Sequence, residues 1–178
     1  MGNNISIRIS YLLRHNPENL KMDEYGFVSV KDLLVKLKIT MSELESLVQN
    51  NNKQRFSFSD NKELIRANQG HSNGLAPNLN LKEVNEEICL YHGTSLNSWN
   101  IIKESSIKPM ARNYVHWTAD INLAKKRAKQ QSDNDGIIIT LKSKPYIDDG
   151  NKILLSDNKV YLTKEIDNKY LTRMSANF

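Results

Sequence analysis

The sequence predicts an α+β fold in two lobes, from its mixed periodicities, its length and one central stretch of loop residues. Apolar residues recur with helical spacing in some segments and alternate as in strands in others. The chain has 178 residues, 39% of them apolar, which is enough for one ordinary domain or two small ones. Residues 70–80, GHSNGLAPNLN, are typical of a linker. We therefore predict lobes of residues 1–82 and 83–178.

The first lobe begins with a predicted helix, followed by a short strand and a second helix. One helical face of the first segment is apolar, and Asn16-Pro17 ends the helix. The residues of that face are Ile5, Ile9, Leu12 and Leu13. Tyr25-Gly26 predicts a turn, FVSV (27–30) a short strand and KDLLVKL (31–37) a helix.

A third helix and a hairpin complete the predicted first lobe. Thr40 with Glu43 three residues later matches a capping box, which places a helix start after Thr40. RFSFS (55–59) and ELIRA (63–67), joined by the turn Asp60-Asn61, predict a β-hairpin. Helix, strand, two helices and a hairpin is the order of a winged-helix module. Such modules usually handle nucleic acid, although many serve protein contacts.

The second lobe is predicted to be a mixed α and β lobe. EICLYHGTS (87–95) predicts a buried strand that runs into a tight glycine turn, with a helix starting at Ser95. The later segments predict a strand (NYVHWT, 113–118), a helix (INLAKKRAKQQ, 121–131), a turn (Asp133 to Gly136), a core strand (GIIITL, 136–141) and a closing hairpin (KILLSDNKVYLT, 152–163). The basic run KKRAK (125–129) predicts a solvated helix face, with RNA steering as the alternative.

Composition excludes several classes of protein. The net charge of +5 is compatible with an anionic partner but forms no polybasic arm, and only seven of the 25 positive residues are arginine. A single cysteine rules out a disulfide framework. The four scattered histidines, without CxxC or HExxH, lead us to expect no metal. With no membrane-length apolar run and no secretory signal pattern, we expect no membrane association and a cytoplasmic location.

Four positions that could carry chemistry also have ordinary structural explanations. Arg14-His15 ends a helix, where two cations could simply complement the helix dipole. Arg66 could be an edge-strand residue that discourages aggregation, although this does not explain the polar loop that follows it. His92-Gly93-Thr94 follows a strand, a common place for a ligand-binding loop, but short tripeptides also arise by chance. Arg112 alone would be an ordinary surface arginine.

Taken together, the segments around these positions resemble the NAD-dependent RNA 2′-phosphotransferases of the KptA type. The resemblance covers nearly the whole chain and is carried by YLLRHNPENLKMDEYGFVSV (11–30), LIRANQGHS (64–72), LYHGT (90–94) and MARNYVHWT (110–118). The order LRHNP, IRANQGHS and YHGT makes it specific. Phe27 stands where the family usually has tryptophan, and Trp117 where it usually has an aliphatic residue.

The resemblance implies a winged-helix-like amino-terminal lobe and an ADP-ribosyltransferase-like carboxyl-terminal lobe, with the active site in the cleft between them. It implies that an internal 2′-phosphate of RNA attacks C1″ of NAD and expels nicotinamide. The ribose 2″-hydroxyl then attacks the phosphorus, which gives 2′-hydroxyl RNA and ADP-ribose 1″,2″-cyclic phosphate. The physical demand of this chemistry is a cage of cations for a phosphate dianion, which suits the planar fork of arginine.

The resemblance also assigns residues and partners. The implied catalytic residues are Arg14, His15, Arg66 and Arg112. The implied substrate-binding residues are Arg14, His15, Arg66, Gln69 and His71, and the implied NAD-binding residues are His92, Gly93, Thr94 and His116. The implied partners are a tRNA-like RNA and NAD as co-substrate, with no metal, and we expect a monomer.

Two alternatives stay open at this stage. One is an enzyme that ADP-ribosylates other nucleic-acid phosphates, since a phosphate cage does not distinguish the carbon that bears the phosphate. The other is a non-enzymatic winged-helix nucleic-acid binder, which would bind RNA in a salt-sensitive manner without consuming NAD.

Overall fold

The computed structural model describes residues 2–51, 53–72, 74–75, 77–132 and 135–175. Over these residues the chain is a mixed α/β protein with six α-helices and several small sheets, in agreement with the predicted class. It divides into two compact units. The first consists of Met1–Leu81, Ala111–Asn113 and Ser156–Asn158, and the second of Lys82–Met110, Tyr114–Leu155 and Lys159–Phe178.

Three helices surround the core of the first unit. They are α1 (Gly2–Arg14), α2 (Val30–Leu37) and α3 (Met41–Gln49). Ile9, Leu12 and Leu13 of α1 are completely buried, which confirms the predicted apolar face. The helix ends before Asn16 because a following proline disfavours the helical conformation in the residue that precedes it.

Side chains cap the starts of α2 and α3. The Ser29 hydroxyl accepts a hydrogen bond from the Asp32 backbone N–H at the start of α2. At the start of α3, Thr40 Oγ1 accepts from Glu43 N at 3.3 Å, while the Glu43 carboxylate accepts from Thr40 N at 2.8 Å. The predicted capping box is therefore confirmed, and caps of this kind typically contribute about 1 kcal/mol of helix stability.

The sheet of the first unit has three antiparallel strands. They are β1 (Phe27–Ser29), β2 (Phe56–Phe58) and β3 (Leu64–Ala67), in the order β1-β3-β2. The predicted hairpin is confirmed as β2 and β3. Because β3 is the central strand, the explanation of Arg66 as an edge-strand residue is wrong. Arg66 lies opposite Phe27 on one side and Ser57 on the other.

The stretch predicted to be a linker, residues 70–80, instead belongs to the first unit. His71 and Leu79 are buried, and the Asn78 N–H donates to the Glu24 carbonyl oxygen at 2.7 Å. Asn73 and Ala76 lie outside the described residues. The linker prediction was wrong because turn-forming residues specify backbone conformation and not exposure.

The described residues of the second unit form three α-helices, one short 3₁₀ helix (Asn168–Tyr170) and nine strands. The α-helices are α4 (Leu96–Ile102), α5 (Ile121–Gln131) and α6 (Ser143–Asp148). The strands are β4 (Lys82–Glu83), β5 (Cys89–Ser95), β6 (Ser106–Ile107), β7 (Val115–Trp117), β8 (Gly136–Lys142), β9 (Leu154–Leu155), β10 (Tyr161–Thr163), β11 (Ile166–Asp167) and β12 (Leu171–Ser175). They make three antiparallel sheets, β4-β9-β10-β7, β12-β8-β5 and β11-β6.

The core of the second unit lies on both faces of β8. Ile138 packs with Ala124 and Ala128 of α5, whereas Ile139 belongs to a larger cluster that includes Trp117. The basic residues Lys126, Arg127 and Lys129 of α5 are exposed, so the predicted solvated helix face is confirmed. The core strand and the closing hairpin, β9 and β10, are also confirmed. The predicted turn from Asp133 to Gly136 includes Asp133 and Asn134, which lie outside the described residues.

None of the described helices combines the length and the apolar character that crossing a bilayer requires.

Candidate functional site

Arg14, the last residue of α1, carries a buried guanidinium. Nε and Nη2 are buried and have no hydrogen-bond partner among the described residues. Gly70 covers the side chain closely, since a Cβ built at Gly70 would lie 3.7 Å from Arg14 Cδ, Nε and Cζ. The ring of Phe56 lies nearby, with its centroid 5.9 Å from Arg14 Cζ. A solvated charge at a helix end would not be buried in this way, so the dipole explanation alone does not account for Arg14.

Arg66, in the middle of the central strand β3, is also largely buried, with only 13% of its side chain exposed. Nη2 donates to Asp157 at 3.2 Å, and Nη1 donates to the Tyr25 carbonyl oxygen at 3.5 Å. The guanidinium carbon lies 4.8 Å from the centre of the Phe27 ring. Nε is buried and has no hydrogen-bond partner in the described part of the chain.

The polar loop after β3 places an imidazole close to these cations. His71 is 2% exposed, and neither ring nitrogen makes a hydrogen bond of ordinary geometry with a described residue. Burial, followed by the charges of Arg14, His15 and Arg66, lowers the pKa of His71 to about 4, and the nearby Leu13 backbone opposes the shift. Gln69 Oε1 is likewise buried without a partner among the described residues.

Ser72 and Arg112 complete this group of residues within the first unit. Ser72 N donates to the Arg14 carbonyl oxygen at 2.9 Å, and Ser72 forms an isolated antiparallel β-bridge with Arg112. The neighbouring Asn113 N donates to the His71 carbonyl oxygen at 3.3 Å. These backbone contacts explain why Arg112 belongs to the first unit, although residues of the second unit flank it in sequence.

The charges of the group act on one another. Burial, followed by the charges of Arg55 and Arg112, lowers the pKa of Arg14 to about 10, so Arg14 stays charged at neutral pH. Burial, followed by Arg14 and Arg112, lowers the pKa of His15, so its neutral form is favoured. Arg55, directly before β2, was missed by the sequence analysis. Clustered cations repel one another in the free protein, and a bound anion offsets this repulsion.

His92 and His116 meet within the second unit. His92 lies in β5, and its Nδ1 donates to the His116 carbonyl oxygen at 2.9 Å, since a carbonyl can only accept. The His92 ring also lies against Trp117, with 5.6 Å between ring centroids. In the neutral ring, this bond leaves the lone pair on Nε2. Thr94, two residues on in the same strand, is buried.

Gly93 occupies a different environment from the predicted one. The sequence predicted a glycine turn after the strand, whereas β5 continues through Ser95, so that prediction was wrong. A Cβ at Gly93 would lie 2.1 Å from the Ala124 carbonyl oxygen and 2.6 Å from Ala128 N. The missing side chain therefore makes room for α5. A glycine is favoured wherever another group comes close to the backbone, whether that group is a helix or a ligand. The sequence alone could not show which of the two lies against Gly93.

The backbone of Gly93 can nevertheless serve a ligand. Tyr91 exchanges both backbone hydrogen bonds with Thr118, on the side away from β8. In an antiparallel ladder, alternate residues direct their N–H and C=O to the same side. The N–H and C=O of Gly93, like those of Tyr91, therefore point away from β8.

The predicted site residues thus form two groups, each within one unit. Arg14, His15, Arg66, Gln69, His71 and Arg112 belong to the first unit, and His92, Gly93, Thr94 and His116 belong to the second. Among the residues that the structure describes, no group of three or more His, Cys, Asp or Glu side chains could hold a metal ion.

Comparison with known proteins identifies relatives along nearly the whole chain. Residues 2–165 match the family model described as "RNA 2′-phosphotransferase, Tpt1 / KptA family". Three similar proteins each bear the name "Probable RNA 2′-phosphotransferase". The protein from Fusobacterium nucleatum is 41% identical, with 92% of this chain and 93% of the relative covered. Those from Flavobacterium johnsoniae and Rhizobium johnstonii are 36% and 35% identical, with 96% and 95% of this chain and 96% and 92% of the relative covered.

Proposed function

This chain belongs to the Tpt1/KptA family of RNA 2′-phosphotransferases, and we propose that it transfers an internal 2′-phosphate from RNA to NAD. The products are 2′-hydroxyl RNA, nicotinamide and ADP-ribose 1″,2″-cyclic phosphate. The proposed RNA is tRNA-like, and NAD acts as a co-substrate and not as a resident cofactor.

The observation that carries this proposal is the set of buried donors without partners in the first unit. Arg14 Nε, Arg14 Nη2 and Arg66 Nε have no hydrogen-bond partner among the described residues, and the His71 ring lies within electrostatic range of both arginines. Each buried unsatisfied donor costs about 1–3 kcal/mol, and more when it is charged. A phosphate monoester, whose second pKa is near about 6, offers three acceptor oxygens and close to two negative charges at neutral pH.

The first step requires no strong general base, because the attacking phosphate is already anionic. Arg14 and Arg66 hold and orient the phosphate, and the residues around each guanidinium group fix its direction. Arg66 is oriented by Asp157 and Phe27. In the second step, His15 takes the proton of the attacking ribose 2″-hydroxyl or gives a proton to the departing RNA 2′-oxygen.

The second step forms the cyclic phosphate and releases the RNA. Charge builds on the phosphoryl oxygens as the ribose hydroxyl attacks, and Arg112 stabilises it with the other arginines. Arg55 raises the local positive charge, as its effect on Arg14 shows, and we assign it to a phosphodiester that flanks the 2′-phosphate.

His92, Gly93, Thr94 and His116 would hold the nicotinamide riboside end of NAD, which supplies an electrophilic ribose carbon and a leaving group. The residues fit this co-substrate in two respects. The outward N–H and C=O of Gly93 match the acceptor and donor of a primary carboxamide. The His92 ring is fixed by the His116 carbonyl and by Trp117, so it needs no reordering to contact the ribose.

We assign the first lobe, residues 1–82, to the winged-helix-like class and the second, residues 83–178, to the ADP-ribosyltransferase-like class. The order α1-β1-α2-α3-β2-β3 supports the first assignment. Family membership supports both. In this proposal the first lobe binds the RNA and the second binds NAD.

The test is to incubate the protein with NAD and a short RNA that bears one internal 2′-phosphate. We expect dephosphorylated RNA and a stoichiometric amount of ADP-ribose 1″,2″-cyclic phosphate, measured by chromatography and mass spectrometry. A parallel reaction uses the same oligonucleotide with a 5′-phosphate only. Stable ADP-ribosylation of the 5′-phosphate, without activity on the 2′-phosphate, would contradict the proposal. Salt-sensitive RNA binding with no consumption of NAD would contradict it as well.

A further inference from the structure

The Ser72 hydroxyl lies between the two residues that end the first helix. Its oxygen is 3.1 Å from the Arg14 carbonyl oxygen and 3.0 Å from Nδ1 of His15. The backbone of Ser72 is held independently, by its N–H bond to the same carbonyl and by the β-bridge to Arg112. The oxygen is therefore fixed in place by main-chain contacts and does not depend on the position of the imidazole.

The Arg14 carbonyl oxygen determines which atoms donate in the two hydrogen bonds of the Ser72 hydroxyl. A carbonyl oxygen can only accept, so the single hydroxyl proton of Ser72 is directed to Arg14 O. The hydroxyl oxygen then faces His15 with its lone pairs. For the contact at 3.0 Å to be a hydrogen bond, Nδ1 of His15 must carry a proton and donate it. The opposite arrangement would direct the hydroxyl proton to Nδ1 and leave two oxygens facing each other at 3.1 Å.

We propose that Ser72 is a positioning residue that holds neutral His15 with its proton on Nδ1 and thereby reserves Nε2 for the substrate. The effect on turnover rests on the proposed function, whereas the tautomer is a property of the resting protein. An unconstrained neutral histidine carries its proton mainly on Nε2, so the hydroxyl reverses the ordinary preference.

The charge state of His15 makes the tautomer consequential. Burial and the neighbouring Arg14 and Arg112 favour the neutral ring, which has one donor nitrogen and one acceptor nitrogen. Only the nitrogen with the lone pair can take the proton of the attacking ribose 2″-hydroxyl. With the other tautomer, Nε2 would carry a proton and could not act as a base.

The first experiment measures the tautomer directly. Protein labelled with ¹⁵N-histidine gives long-range ¹H–¹⁵N spectra with four ring systems, because the chain has four histidines. The His15 signals are identified by their loss in His15→Gln. At neutral pH we expect a protonated Nδ1 and an unprotonated Nε2 in the wild type, and a shift of the proton towards Nε2 in Ser72→Ala. A wild-type His15 with its proton on Nε2 would overturn the inference.

The second experiment measures turnover in two variants of Ser72. Ser72→Ala should lower kcat by on the order of tenfold or more while changing KM for RNA little, since acid–base catalysis contributes roughly 10²–10⁴-fold. Ser72→Thr keeps the hydroxyl and should restore both kcat and the Nδ1–H tautomer. A kcat for Ser72→Ala within about twofold of the wild type would overturn the role in turnover, and so would failure of Ser72→Thr to restore activity.

Ser59→Ala is the matched control within the same unit. The Ser59 hydroxyl donates to Asn61 Oδ1 at 2.7 Å and accepts from Leu64 N at 3.1 Å, so its removal also deletes two hydrogen bonds. It should leave the His15 spectrum and kcat unchanged. An equal loss of kcat in Ser59→Ala would show that Ser72 acts only through stability and would overturn the inference. If the wild type lacks phosphotransferase activity while His15 is the Nδ1–H tautomer, the proposed function fails and the positioning of His15 stands.

Discussion

The candidate residues of the first unit and those of the second unit differ in how far their polar groups are satisfied in the free protein. In the first unit, buried arginine nitrogens and the His71 ring lack hydrogen-bond partners among the described residues, and the cations repel one another. In the second unit, His92 is hydrogen-bonded to the His116 backbone, and Gly93 and Thr94 are part of a strand that α5 covers.

This difference separates residues that lower the stability of the free protein from residues that contribute to it. An unpaired buried cation is unfavourable until an anion arrives, so its removal should harm activity more than folding. A glycine that allows a helix to pack on a strand is part of the core, so its replacement should harm folding first.

The largest effect is expected at Arg66. Arg66→Lys should lower kcat by at least about 100-fold, because removal of one preorganised donor to developing charge typically costs 10²–10³ and an ammonium cannot reproduce the fork. Steady-state assays with 2′-phosphorylated RNA measure this, and thermal denaturation checks that the variant is folded. Arg173→Lys, on an exposed position of β12, is the control and should retain full activity. Near-normal turnover in Arg66→Lys would contradict the phosphate role.

Gly93→Ala should show the opposite behaviour. The added Cβ would lie 2.1 Å from the Ala124 carbonyl oxygen, which is backbone and cannot simply move aside. We expect a loss of about 3 kcal/mol or more in the free energy of unfolding, at the upper end of overpacking effects. Urea denaturation followed by circular dichroism measures it. Gly74→Ala, where the new Cβ would meet nothing within 4 Å, should be close to neutral. Equal stabilities for the two variants would refute this account of Gly93.

Arg112→Ala should separate the two proposed chemical steps. Without this guanidinium the attack on phosphorus should slow by on the order of 10–100-fold, while the first step continues. An RNA that carries a 2′-phospho-ADP-ribose should then accumulate and be visible on a denaturing gel. Complete turnover without this species would place Arg112 outside the second step.

Arg14→Met tests whether the buried arginine lowers the free energy of unfolding while it favours phosphate binding. Replacing a buried cation by an apolar side chain of similar length should raise the free energy of unfolding by about 1 kcal/mol. Inorganic phosphate should raise the melting temperature of the wild type through binding to the folded state, and should do so less in Arg14→Met. A variant that is less stable than the wild type, with an unchanged response to phosphate, would remove the contrast between the two units.

The effect that is smallest at neutral pH concerns His71, because it develops only as the pH falls. The pKa of His71 is about 4 in the folded protein, against an ordinary 6.5. Between these values the unfolded chain binds a proton that the folded protein does not, so stability falls as the pH falls from 6.5 to 4. The lowered pKa of His15 acts in the same direction. His71→Asn should flatten this dependence in urea titrations at several pH values. An unchanged slope would show that His71 is not the neutral buried group described above.

Local features of the fold could be predicted from the sequence because they depend on neighbouring residues. The capping box at Thr40, the hairpin around Asp60-Asn61 and the end of α1 before Pro17 all follow from residues within a few positions of each other. The choice of Arg14, His15, Arg66 and Arg112 came from a resemblance. The structure adds that these four residues belong to one unit.

Features that depend on contacts between distant segments could not be predicted. Ser72 lies 57 positions from His15, and no local pattern indicates their hydrogen bond. The burial of Arg14 under Gly70 and the proximity of Arg55 are equally non-local. Gly93 was interpreted as a turn because strand glycines and turn glycines look alike until the packing partner, here α5, is known.

The course of the chain has a practical consequence for dissecting the protein. Arg112 and Asp157 come from Ala111–Asn113 and Ser156–Asn158, two short excursions of the second half of the sequence into the first unit. A fragment cut after Leu81 would keep Arg14, His15 and Arg66 but lose one guanidinium and the carboxylate that orients another. Mixing the two halves as separate polypeptides would therefore require both excursions to insert correctly into the first unit.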